Sequence, residues 1–361
     1  MCGVGGRTIC SAQPRSVTRA LLDVPAAVDG ACRPLLHYLW PMQGSVVAVD
    51  IGGSKIASLA RRLGSERDIF TDKEETPADD GVEAVLRVID RHVDQLAGGR
   101  KGLRALGVGV PGHVDEQGRV LWAGNLDGWV DVPLRSLLEK RYGVPIFLER
   151  DANCAALGEK WTGAAKEMND FVFIALGTGI GAGLFLDGRI YRGAHAAAGE
   201  IGNMHLLAPG KKDDPITVSE VVGKKAISKQ VRKVSGKKMS AADALKIAVE
   251  KRRLRRATRK IVDHLSAAVV ALVSVLDPEA VLFGGGTSQA GEAMLGRVRK
   301  RVAPLFGTRL MLAGLGVDSQ LYGALWGALE LTRARSKVDR RTSSLAKAAR
   351  AVEEKRQSRR K

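Results

Sequence analysis

Apolar and polar positions alternate along the chain in two rhythms. Val46 to Val49 and Ile51 form an apolar run that ends at Gly52-Gly53, and a second run follows from Ile56 to Ala60. This predicts a buried strand turning back into another through a glycine hairpin. A helical period follows over Gly81 to Ala97, then apolar strands over Ala105 to Val110 and Pro145 to Leu148. The block from Phe171 to Arg192 reads as two apolar strands broken by GTGIG, with Asp187-Gly188 marking a tight turn. A helix broken once is predicted over about Ala241 to Leu276, then a strand in AVLF from Ala280 to Phe283 and a helix around Ala290 to Val302. Strands interleaved with helices in this way predict a mixed α/β chain. The longest apolar stretch, Leu265 to Leu276, stops at Asp277-Pro278, short of the roughly 18 residues of a membrane span, so it reads as a buried helix and no membrane is expected.

The two glycine hairpins repeat one another. Asp50-Ile51-Gly52-Gly53 laid over Leu176-Gly177-Thr178-Gly179 brings Val49 onto Ala175, Ala57 onto Gly183 and Leu59 onto Phe185. A match of this kind at the start of each half points to a duplicated domain with a site in the cleft between the copies.

Length and charge narrow the picture. The 361 residues, 45% of them hydrophobic, suffice for two domains with their own cores. We divide the chain into residues 1–41, a leader or a mis-assigned start with Met42 as the true one, domains over 42–155 and 156–335, and a basic tail over 336–361. Asp23, Asp29 and the missing amphipathic stripe weigh against a mitochondrial transit peptide. Cys2, Cys10, Cys32 and Cys154 have neither paired spacing nor nearby histidines, so neither a disulfide framework nor a zinc site is expected. The net charge of +18 is concentrated in Lys337 to Lys361 and in KRRLRRATRK, Lys251 to Lys260. These runs suit solvated faces, or attraction to a polyanion such as nucleic acid or a long phosphate chain. No aromatic residue is interleaved with them, so nucleic acid is not the expected partner.

Glycine lets a backbone approach a ligand closely and aim several N–H groups at one oxyanion. Gly52, Gly53 and Ser54 in DIGGSK, and Gly177, Thr178, Gly179 and Gly181 in GTGIG, therefore suit two phosphate clamps, although either alone suits a plain hairpin. Asp50 adds a carboxylate at a strand end, placed to hold hydrated Mg²⁺ beside phosphate. Lys55 either offsets phosphate charge or points to solvent. Gly284, Gly285, Gly286 and Thr287, after the AVLF strand, make a side-chain-free floor for a base and ribose or for a phosphate. Asp151, in ERDAN, sits where a strand becomes a helix; it is either a plain N-cap or an acid/base group opening into the cleft. Asn125 and Glu200, in glycine-rich loops, resemble hydroxyl-binding groups for a polyol.

Together these motifs, in the order DIGGSK, GVPGHVD, NL followed by GW, ERDAN, LGTGIGAGLFLDGRIYRGAHAAAGEIG and LFGGGTS, resemble the ROK sugar kinases, which share the fold of actin and hexokinases. The resemblance spans about Val46 to Glu330 and implies two duplicated actin-like (ribonuclease H-like) α/β domains around a central cleft. By this likeness Asp50 to Lys55 and Gly177 to Gly181 would grip ATP phosphates with Mg²⁺, and Gly284 to Thr287 would line the adenosine. Gly112, Asn125, Arg150, Glu200, Asn203 and Glu220 would surround a hexose or amino sugar, and Asp151 would take the proton from its hydroxyl in an in-line transfer. Arg150 stands where relatives carry Asn. Asn203 stands where many carry a zinc-ligating His, and their cysteine-rich loop is replaced by GNMHLLAPGKKDDPITVSE, so no zinc is expected. His205 lies two residues on.

The resemblance further implies a cytoplasmic glucokinase-like enzyme and a homodimer. The charge keeps polyphosphate as an alternative donor, with Lys251 to Lys260 expected to matter for it. A ROK-type repressor would need a helix-turn-helix, for which 41 weakly periodic residues are too few. A non-catalytic sugar sensor is the remaining alternative.

Overall fold

The computed structural model describes residues 44–70, 73–206, 216–302 and 307–335. The expected leader and basic tail lie outside the described residues. In the first lobe the strands are β1 (Ser45–Ile51), β2 (Lys55–Arg62), β3 (Asp68–Phe70), β4 (Glu74–Glu75), β5 (Leu103–Val110) and β9 (Ile146–Arg150). They lie in the order β3-β2-β1-β5-β9, with β4 pairing on β2. The amphipathic helix α1 (Gly81–Ala97) covers one face, burying Val85, Ile89 and Val93 against Val47, Val49 and Leu106. A small antiparallel sheet, β6 (His113–Val114), β7 (Val120–Trp122) and β8 (Val130–Val132), projects from the end of β5. Helix α2 (Leu134–Tyr142) leads back into β9.

The second lobe repeats the plan with β10 (Phe171–Leu176), β11 (Ile180–Leu186), β12 (Arg189–Ile190), β15 (Ala280–Gly284) and β16 (Arg309–Leu312), ordered β12-β11-β10-β15-β16. In both sheets an antiparallel hairpin leads into two strands added in parallel. The expected duplication is thus visible in the topology. The ungapped overlay, however, slips after the turns. Ile51 pairs with Ile56 across Gly52 to Lys55, while Leu176 pairs with Ile180 across only Gly177 to Gly179.

Between β12 and β15 lie a short ribbon, β13 (His205–Leu206) with β14 (Ile216–Thr217), and the helices α4 (Val218–Val222), α5 (Lys224–Ser235), α6 (Ala241–Ile247), α7 (Arg252–Ala257) and α8 (Arg259–Leu276). The helix expected over 241–276 is therefore broken twice, not once. The first break ends at Lys251, whose backbone is extended. The second falls at Thr258, whose Oγ1 donates back to the carbonyls of Leu254 (2.9 Å) and Arg255 (3.4 Å), a bond that bends helices. After β15 a short 3₁₀ turn, Gly286–Ala290, precedes α9 (Glu292–Val302).

Two helices fill the space between the sheets. Helix α3 (Asp151–Trp161) follows β9 and buries Ala155, Ala156 and Leu157 against Phe171, Phe173 and Phe185 of the second lobe. Helix α10, residues 319–335, follows β16 and returns to the first sheet, packing Leu321, Ala324, Leu325 and Ala328 on Val46, Ala48 and Leu59. A Cβ on Gly107 would lie 2.0 Å from the Ala324 carbonyl oxygen, and one on Gly183 would lie 2.2 Å from that of Ala152. Each sheet thus holds one glycine against which a helix backbone rests. None of the described helices is long and apolar enough to cross a membrane.

Candidate active site

The two glycine hairpins converge on one crevice. Gly53 and Ser54 from the first, Thr178 from the second, and Asn125, Lys224 and Lys225 line a single cavity of about 890 Å³. The first turn is closed by the Gly52 N–H donating to the Lys55 carbonyl at 2.9 Å and is held by Thr76, whose Oγ1 donates to the Gly52 carbonyl at 2.6 Å. A Cβ on Gly53 would stand 2.7 Å from Asn125 Cβ, so glycine is what lets the turn reach Asn125. The second turn is buttressed by the start of α5, where the Lys224 N–H donates to the Gly177 carbonyl at 3.1 Å. Gly285 has φ +84°, and a Cβ there would lie 2.7 Å from the Leu176 carbonyl oxygen. The floor over Gly284, Gly285, Gly286 and Thr287 therefore adjoins the end of β10, next to Gly177.

Asp151 is the first residue of α3, after Arg150 in an extended conformation, and its Oδ1 accepts from the Ala152 N–H at 2.6 Å. Burial pushes its carboxyl above the usual carboxylate range; the Arg150 charge and the Ala152 bond pull the other way, while Glu200 raises it. Asp50, at the end of β1, is pushed up to about 7, first by burial, then by the Asp151 charge, with Lys73 opposing and Asp318 adding to the rise. The Asp151 charge thus reaches Asp50, and the Glu200 charge reaches Asp151. The carboxylates of Asp50 and Asp151 are partly offset by the charges of Lys73, on Asp50, and Arg150, on Asp151. Their hard oxygens match the donor chemistry of Mg²⁺, which binds through one or two carboxylates plus phosphate. Among the described residues there is no group of three or more His, Cys, Asp or Glu side chains placed to hold a metal ion by themselves.

The expected sugar shell divides. Glu200 lies 3.3 Å from Arg150 Nη1 and 3.6 Å from His113 Nε2, and Asn125 is exposed in the crevice. Arg150, only 3% exposed, donates Nη1 to the Ala198 carbonyl (2.7 Å) and Nη2 to those of Ala182 (2.8 Å) and Gly199 (3.2 Å). It thus braces the loop through Ala198 and Gly199 and also pairs with Glu200. Gly181 sits beneath it, a Cβ there being 3.5 Å from Nη2. Gly112, at φ +91°, packs against the Trp122 carbonyl and turns β5 into β6, which places His113. Asn203 is exposed at the end of a 3₁₀ turn. Glu220 is exposed too, and forms a capping box with Thr217, its Oε2 accepting from the Thr217 N–H and Oγ1, both at 2.8 Å. That role is written in T-V-S-E, the Ser/Thr-x-x-Glu signature. Lys55 is exposed and opposite Glu75 in the β2–β4 register.

Sequence reasoning missed three residues. His113 stood in GVPGHVD beside Gly112, and its buried Nε2 has no hydrogen-bond partner among the described residues. Glu149, 3% exposed, precedes Arg150; Oε1 accepts from the Arg150 N–H (2.9 Å) and Asn153 Nδ2 (3.0 Å), and Oε2 from Arg192 Nε (2.8 Å). Arg192 was hidden because its partner lies 43 residues away, a contact that periodicity does not encode.

Residues 46–326 match the model of the ROK family. The chain belongs to the ROK family. It is 32% identical to a glucokinase of Thermotoga maritima over 279 residues, 71% of this chain and 86% of that protein. It is 29% identical to a xylose repressor of Caldicellulosiruptor bescii over 296 residues, covering 75% of this chain and 73% of that protein. The solved structure of a ROK glucokinase from Streptomyces griseus, in complex with glucose and AMPPNP, superposes with a TM-score of 0.68 at 28% identity. It covers 80% of this chain and 100% of its own. The architecture is thus that of the ROK sugar kinases, with actin-like domains, and the relatives include both kinases and repressors.

Proposed function

We propose that this chain is a nucleotide-dependent hexose kinase that transfers the terminal phosphoryl group of ATP to a sugar hydroxyl, with Asp151 as general base. The observation that carries the reading is the position of Asp151. It stands at the N-terminus of α3, electrostatically coupled to Asp50 on the phosphate side and to Glu200 on the other. Burial raises its proton affinity, which suits a group that must accept a proton from an alcohol during transfer. Asn125 and Glu200 would orient the sugar, with Arg150 and His113 steadying the Glu200 carboxylate. Backbone N–H groups of the two glycine turns would hold the phosphates, and the Gly284 to Thr287 floor the nucleoside. Mg²⁺ beside Asp50 would supply charge neutralisation for the phosphates. Closure of the lobes would exclude water, the competing acceptor.

The test is a coupled assay of wild type and Asp151→Asn over glucose, mannose, fructose, N-acetylglucosamine and N-acetylmannosamine, with ATP or polyphosphate as donor. Turnover is expected to fall by about 10²–10⁴-fold, while nucleotide affinity changes by less than about threefold, since the carboxylate would act on the acceptor. Undiminished turnover in Asp151→Asn removes Asp151 from its role. Sugar binding by wild type without turnover on any of these acceptors favours the sensing function suggested by the repressor relatives.

A further inference from the structure

A second concave site lies on the far side of α5. The crevice is lined from this helix by Lys224, Lys225 and Ser228, whereas Gln230 and Val234 line a separate cavity of about 660 Å³ with Arg252, Arg253, Arg256 and Lys260. At 3.6 residues per turn, positions 228 and 230 point about 200° apart. The cations that line this cavity, Arg252, Arg253, Arg256 and Lys260, therefore do not line the crevice of the glycine turns.

Their pairing shows what the cavity is suited to hold. Arg252, Arg253, Arg256 and Lys260 are all exposed, and none forms an ion pair among the described residues. The nearby carboxylate of Asp263 is taken by Arg301 at 2.5 Å and Arg259 at 3.6 Å. Behind the groove, Arg297 donates to Thr258 Oγ1 at 2.9 Å and to the Arg255 carbonyl at 3.4 Å. Burial first, and then the Arg301 and Arg255 charges, push its proton affinity down, with Asp263 opposing. Arg252 and Arg256 lie one turn apart on α7, about 6 Å at 1.5 Å per residue, and Lys260 joins them from the first turn of α8 across the break at Thr258. Guanidinium groups match phosphate oxygens in pairs. The cavity lining has no aromatic side chain on which a base could stack and no carboxylate to repel an anion.

We propose that this groove is a binding site, separate from the crevice, for a compact anion carrying three or more clustered phosphate groups. The Arg252, Arg253, Arg256 and Lys260 heads would surround the phosphates, and the Gln230 amide would donate from the opposite wall. The site does not depend on the kinase reading, because it shares no lining residue with the crevice.

The probe is tripolyphosphate, with binding to the full chain measured by calorimetry at low and moderate salt. Two triple variants of equal net charge are compared: Arg252→Glu/Arg256→Glu/Lys260→Glu in the groove, and Arg87→Glu/Lys101→Glu/Lys140→Glu on exposed positions of the first lobe. The groove variant is expected to lose at least about tenfold in affinity and most of the salt dependence, and the control less than about twofold. Arg252→Gln/Arg256→Gln, which reverses no charge, is expected to lose an intermediate amount, and it covers the case in which charge reversal disturbs folding. Equal losses in the two triple variants, no loss in the groove variants, or no binding by wild type overturns the proposal. So does a twelve-residue oligothymidylate that displaces tripolyphosphate from the groove with higher affinity, because the surface would then be one for a nucleic-acid backbone.

Discussion

The two lobes lay down their strands in one order and end their first strands in opposite chemistry. In the first, β1 finishes on Asp50 and Ile51 before Gly52-Gly53; in the second, β10 finishes on Leu176 before Gly177-Thr178-Gly179. The same hairpin therefore has a carboxylate near the end of its first strand in one lobe, and in the other a leucine followed by a turn that carries the Thr178 hydroxyl. Asp50 ends a parallel pair with β5, and a Cβ on Gly109 would lie 3.6 Å from its Oδ1. Leu176 is buried in its own lobe, and its carbonyl oxygen is where Gly285 makes its closest approach. A duplicated frame carrying charge in one copy and contact in the other concentrates the electrostatics on one lobe and leaves the second to fit shape.

The sharpest way to break this comparison is to make the first hairpin like the second. Asp50→Leu is expected to lower turnover by at least about 10³-fold, because the charge that would hold the cation is gone. Sugar-induced thermal stabilisation is expected to persist, since Asn125 and Glu200 are untouched. A loss of less than tenfold would mean that the asymmetry between the hairpins has no catalytic meaning.

A smaller effect sharpens the contact side. Gly285→Ala must place a Cβ at φ +84° and 2.7 Å from the Leu176 carbonyl oxygen, whereas a Cβ on Gly286 meets nothing within 4 Å. We expect Gly285→Ala to cost about 1–3 kcal/mol and Gly286→Ala less than about 1 kcal/mol, read from chemical denaturation. Equal costs would show that the floor does not lean on β10.

The smallest effect concerns stability and pH. The Asp50 carboxyl, raised from 3.8 to about 7, favours the folded state while protonated; that contribution is complete below the ordinary carboxylate range and is lost as pH rises through about 7. Asp50→Asn keeps the neutral form at every pH. Its ligand-free melting temperature is expected to exceed that of wild type by a few degrees near pH 8 and to converge with it near pH 4. A lower melting temperature at pH 8 would mean that Asp50 is stabilised as an anion by partners in its own lobe.

Much of this was legible in the chain. The continuous apolar runs Val46 to Val49 and Phe171 to Leu176, each ended by a glycine turn, read as strands buried on both faces, and both are fully or nearly buried except Ala175. The glycine turns pointed to the crevice as a facing pair, since either alone suits a plain hairpin. The place of Asp151 at the strand-to-helix corner was readable too. Less was readable where partners are distant. Arg150 was placed near a sugar by analogy, yet its guanidinium answers to carbonyls of Ala182, Ala198 and Gly199. Glu220 looked like a hydroxyl ligand, and its carboxylate bonds the start of its own helix.

Local pattern settled the principal strands of this protein, since burial and backbone conformation are set largely by residues a few positions apart: the two hairpins, their glycines, and the carboxylates at strand ends follow from the chain itself. Tertiary packing decided which charges meet. It joined Asp50 to Asp151, tied Glu149 to Arg192, and turned the basic run of α7 away from the crevice, because side chains far apart in sequence interact only once helices and sheets have fixed their separations.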